Sequence, residues 1–70
     1  MKNKVIEFIY TFKDIYNYKR TYIFKPGKES FLNFFDRCIC PYLYYGGGIS
    51  NLTIQKKSYL EISLKDFFNR

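Results

Sequence analysis

Three windows of alternating apolar and polar residues, one helical stripe of aromatics and a length of 70 residues predict a small single-domain α+β fold. The expected architecture is a three-stranded, mostly antiparallel sheet. A central aromatic-rich helix and an N-terminal amphipathic helix cover one face of it. The rival for the N-terminus is a β-hairpin, giving the order ββαββ.

Residues 3–17 (NKVIEFIYTFKDIYN) carry two competing signals. Val, Ile, Phe, Tyr and Thr dominate, which suits a strand. Ile6, Phe8, Tyr10 and Phe12 alternate, but the other side mixes Val5 and Ile9 with Glu7, Thr11 and Lys13. On a helical wheel, Asn3, Lys4, Glu7, Thr11 and Asp14 gather within about 100° of arc. Val5, Phe8, Ile9, Phe12, Ile15 and Tyr16 fill the opposite arc. Periodicity outranks propensity, so an amphipathic helix is expected here.

Residues 18–25 (YKRTYIFK) read as a strand. Arg20, Tyr22 and Phe24 share one face; Lys19, Thr21, Ile23 and Lys25 share the other. Pro26 and Gly27 end it, because Pro lacks a ladder donor and Gly permits a positive φ. Ser30 is placed as the N-cap of the next helix, with Glu29 near its positive end.

Residues 29–45 (ESFLNFFDRCICPYLYY) form that helix. Apolar residues at 31, 34, 35, 38, 39, 42 and 43 follow one helical face. Phe31, Phe35, Cys38 and Ile39 are the expected core. Pro41 disfavours helical geometry at the preceding residue, so a kink or an end is expected near Cys40. The three glycines at 46–48 imply a turn or a close backbone approach. They lack the spacing of a phosphate-binding loop.

Residues 49–56 (ISNLTIQK) and 58–64 (SYLEISL) alternate again. Lys56, Lys57 and Ser58 between them read as a turn, making a hairpin. Ser63 as N-cap and Asp66 at the third helical position imitate a capping box. The short turn that follows would dock Phe67 and Phe68 on the core.

Composition explains how so short a chain builds a core. Eight Phe and eight Tyr stand beside no Trp, and each buried ring removes roughly 150–250 Å² from water. Lys, Ile, Asn, Phe and Tyr make over half the chain. That bias accompanies AT-rich coding sequence, which is common in phages and other viruses. The net charge is +6, and most of the excess lies before residue 29. A one-sided basic field favours nucleic acid or an acidic protein surface.

The chain contains no His, and its two cysteines, Cys38 and Cys40, lie too close for an unstrained bridge. With so few soft ligands, neither a metal nor another cofactor is expected. A nucleophilic cysteine would have no histidine base, so no enzymatic activity is expected. No apolar run is long enough to span a membrane, and no signal peptide is read at the N-terminus. A reduced, cytoplasmic protein is expected, in the host cytoplasm if the source is viral.

Two candidate sites remain. Lys13, Tyr18, Lys19, Arg20, Lys25 and Lys28 interleave charge with rings, the pairing that single-stranded nucleic acid requires. The expected function is therefore a small nucleic-acid-binding protein. The signatures of the RNP, homeodomain, zinc-finger and KH modules are absent. Tyr42, Tyr44 and Tyr45 form the second site, since Tyr offers large contact area at small entropic cost. It implies a protein–protein interaction module, such as a viral inhibitor of a host complex or a small assembly subunit. Self-association into a homo-oligomer belongs to the same alternative.

Overall fold

The computed structural model describes residues 2–69 and, within that span, the side chains of 4–60 and 63–69. Strands β1 (Lys2–Lys13) and β2 (Lys19–Phe24) form an antiparallel hairpin. A helix follows in three pieces: α1 (Phe31–Phe34), a π-helical turn (Phe35–Ile39) and α2 (Cys40–Tyr44). Strand β3 (Ser50–Ser63) and a short helix α3 (Leu64–Phe68) complete the chain. The sheet order is β2-β1-β3, antiparallel throughout. Among the described residues, no helix is long and apolar enough to cross a membrane.

The N-terminal segment is a strand, not the expected amphipathic helix. Two partners decide this. β1 is the central strand, so backbone groups on both its edges enter ladders. Its alternation is blurred because both faces are used. Phe8, Tyr10 and Phe12 face the long helix. Val5 and Glu7, on the other face, are buried as well. Glu7 is tolerated there because its Oε1 accepts the Tyr59 hydroxyl at 2.5 Å. That buried carboxylate is what mimicked a polar helical arc.

The expected C-terminal hairpin is also corrected. Lys56, Lys57 and Ser58 continue one strand, pairing with Phe8, Glu7 and Ile6 without a register break. No Gly, Pro, Asn or Asp stands there to turn the chain. An edge strand exposed on both faces accepts polar residues readily, and residues 50–58 are all exposed. Bulges lie outside this stretch, between the Asn3 and Val5 pairs and between the Thr11 and Lys13 pairs. Asn51, with φ 54°, sits in the second. The side chains of Glu61 and Ile62, which the alternation assigned to opposite faces, lie outside the described set.

Ser30 caps α1 as expected, its Oγ accepting the Asn33 amide at 3.1 Å. Pro41 acts one turn early rather than ending the helix. It supplies no N–H, and the helix passes it through a π turn in which the Cys40 amide bonds the Phe35 carbonyl. The extra residue rotates the helical face. Phe34 therefore takes the deepest position, fully buried like Phe12, while Cys38 and Ile39 are buried as expected. Phe35 is half-buried and Phe31 exposed. Phe34 lies 5.1 Å from both the Tyr10 and Phe24 ring centroids.

The helix C-terminus uses the glycines. Gly47 takes φ +84°, and a Cβ on Gly46 would lie 2.9 Å from the Tyr42 carbonyl oxygen. At the other end of the molecule, Ser63 caps α3 through the Asp66 amide at 3.1 Å. Phe67 is buried there, 5.8 Å from the Tyr59 ring.

Candidate functional site

The β1–β2 connection is built on Asp14. Its Oδ1 accepts the amides of Tyr16 (2.9 Å) and Tyr18 (3.0 Å), and its Oδ2 accepts Arg20 Nε at 3.0 Å. Asn17 turns the chain with φ 68° while its amide bonds the Asp14 carbonyl at 3.0 Å. Burial pushes the Asp14 carboxyl up, but the Tyr18 and Tyr16 amides and Arg20 outweigh it, and its pKa is lowered.

Arg20 ties this connection to the helix end. Its guanidinium lies 6.0 Å from the Tyr18 ring centroid and 5.7 Å from that of Tyr42. Tyr42 in turn shares a 2.7 Å hydrogen bond with Tyr22, hydroxyl to hydroxyl. That bond, together with burial, raises the Tyr22 pKa to about 12. The glycine loop closes against the same connection, with Gly47 beside the Ile15 side chain. Tyr18 and Arg20 of the first sequence candidate thus meet Tyr42 of the second at one end of the molecule.

What this end presents to solvent is mostly tyrosine. Tyr16 is 74% exposed, Tyr18 64%, Tyr44 78% and Tyr45 91%, with Ile15 at 55%. Tyr42 is half-buried, packed on Phe12 and Tyr22. Lys13 and Lys19 stand directly opposite one another on β1 and β2 at the same end. They belong to the sheet face away from the helix, whereas Arg20 lies on the helix face.

The six basic-aromatic residues do not form one surface. Lys25 lies beyond the far end of β2, about 20 Å along the strand from Lys19. It is buried, its Nζ donating to the Phe67 carbonyl at 2.8 Å and lying 4.9 Å from the Phe67 ring centroid. Lys28 Nζ donates to the Phe68 carbonyl at 2.9 Å. Both lysines serve the C-terminal end of α3, where cations complement exposed carbonyls.

Asp14 and Ile15 belong to the site and were absent from both sequence candidates. The spacing of Asp14 and Asn17 is a turn signature that marks the hairpin. The cysteines lie elsewhere. Cys38 is buried, and Cys40 Sγ lies 3.5 Å from Asp36 Oδ1. Burial, the leading cause for each, raises both thiol pKa values, away from the thiolate that nucleophilic chemistry uses. No family model, curated protein or solved structure matches this chain.

Proposed function

We infer that the chain is a non-enzymatic binding protein that docks a protein partner through its tyrosine-rich end. The observation that carries this reading is the set Tyr16, Tyr18, Tyr44 and Tyr45, each at least 64% exposed, on two segments that Arg20 bridges through Tyr18 and Tyr42. Tyr and Arg are the residue types that dominate binding hot spots. Here Asp14 holds Arg20 in place, so little of its freedom remains to be lost on binding. Asp14 also neutralises Arg20, which favours a protein surface over a polyanion.

One observation favours a second reading, single-stranded nucleic acid at the same end. Lys13 and Lys19 are like charges opposite one another, an arrangement that an anion between them would relieve. Two phosphate contacts would give a log–log salt slope of about −1.4.

The test is capture from nuclease-treated extract with the parent, Tyr18→Ala and Tyr45→Ala. A partner that survives nuclease and is lost with either substitution supports the first reading. Oligonucleotide binding at about 50 mM salt, with that slope and its loss in Lys13→Ala plus Lys19→Ala, replaces it with the second.

A further inference from the structure

We propose that the outer edge of β3 accepts an extended acidic segment of a partner protein as a fourth strand. The segment would pair with residues 53–59. This surface is separate from the tyrosine-rich end and stands or falls independently of it.

The edge is open and regular. In the order β2-β1-β3, β3 bonds β1 on one side, and no strand among the described residues lies on the other. Every second residue of an edge strand directs its N–H and C=O outward. Residues 53–59 pair with β1 from Thr11 back to Val5 without interruption, and the bulges fall outside them. A seven-residue run is therefore flat enough to template another strand, the geometry of β-augmentation.

The long helix leaves this side of the sheet uncovered. The buried cluster is Phe12, Phe24, Phe34, Cys38 and Ile39, and none of its described members comes from β3. Ile54, opposite Tyr10, is 54% exposed, and Leu52 is 48% exposed. An added strand with an apolar residue opposite Ile54 would cover it.

Charge selects the occupant. Lys56 and Lys57 stand at the centre of the run, one on each face, and both are exposed. A second copy is the wrong partner. A two-fold axis at the centre of the run places Lys56 against Lys56 or Lys57 against Lys57. Each copy also brings a net charge of +6. Lysines at an edge guard against self-pairing in this way. The same pair matches a strand with two adjacent carboxylates, one pointing to each face.

The experiment is an NMR titration of the parent with the blocked peptide Val-Thr-Glu-Glu-Thr-Val-Thr. Two control peptides accompany it. One carries Lys-Lys at the centre; the other is N-methylated at alternate residues. Binding of the acidic peptide is expected, with amide shifts centred on 53–59. At least about tenfold weaker binding is expected for the Lys-Lys peptide. The N-methylated peptide should lose binding, since it keeps the charge but not the ladder. Lys56→Glu should remove most of the preference between the first two peptides, since Lys57 remains on the other face. Lys56 lies opposite Phe8, so its replacement brings no carboxylate against Glu7. Four results would overturn the proposal: no binding at millimolar acidic peptide, binding indifferent to N-methylation, shifts centred elsewhere, or a dimer of the protein alone formed through 53–59.

Discussion

β1 and β3 are long strands of similar alternating chemistry, bonded to each other over most of their length, and they meet opposite fates. β1 buries Val5, Glu7 and Phe12, whereas residues 50–58 of β3 are exposed throughout. The difference lies in what covers each strand. The long helix follows β2 after a short connection and folds back on the β1–β2 hairpin that precedes it, as sequential elements tend to do. β3 joins afterwards on the far side of β1, where the helix does not reach. Burial on the helix face of this sheet is set by the landing place of one helix rather than by the strand sequences, while Val5 and Glu7 on the other face are buried beside Tyr59.

The largest effect that tests this comparison is Phe34→Ala. It should cost about 3–5 kcal/mol in denaturant unfolding, because the ring is fully buried among other rings. Phe35→Ala should cost clearly less, since Phe35 is half-buried. A Phe34→Ala protein within about 1 kcal/mol of the parent breaks the comparison.

Next comes the cap on α3. Lys25→Met keeps the stem but leaves the Phe67 carbonyl without the ammonium donor, a loss of about 1–3 kcal/mol. Lys28→Met removes an exposed donor and should stay within about 0.5 kcal/mol. Equal losses would show that burial at this end does not separate the two lysines.

A smaller effect is expected in alkali. Unfolded Tyr22 releases its proton near pH 10, whereas the folded residue holds it to about 12. The folded state binds more protons between these values, so this contribution is complete below about pH 10 and is lost as pH rises toward 12. The unfolding midpoint should fall over that window, and Tyr42→Phe should flatten part of the fall. An identical profile for Tyr42→Phe would remove the hydroxyl pair as its cause.

The smallest effect belongs to the open half of the sheet. Ile54→Ala should change stability by no more than about 0.5 kcal/mol, because the side chain is already half in water. A loss of several times that size would mean that β3 is covered in solution, and would sharpen the case for an occupant.

The chain by itself determined much of the local structure. Ser30 and Ser63 carry their caps, the residues near Pro26 end β2, and Pro41 distorts the helix, because each effect depends on atoms within a few residues. The aromatic stripe located the helix for the same reason. Tertiary structure alone decided the rest. β1 is a strand because ladders on both edges satisfy its backbone, and Glu7 could be buried only with Tyr59 arriving from far along the chain. Lys25 became a helix cap because α3 returned to it. The two tyrosine segments became one surface because Arg20 bridges Tyr18 and Tyr42, whose proximity depends on where the helix lands.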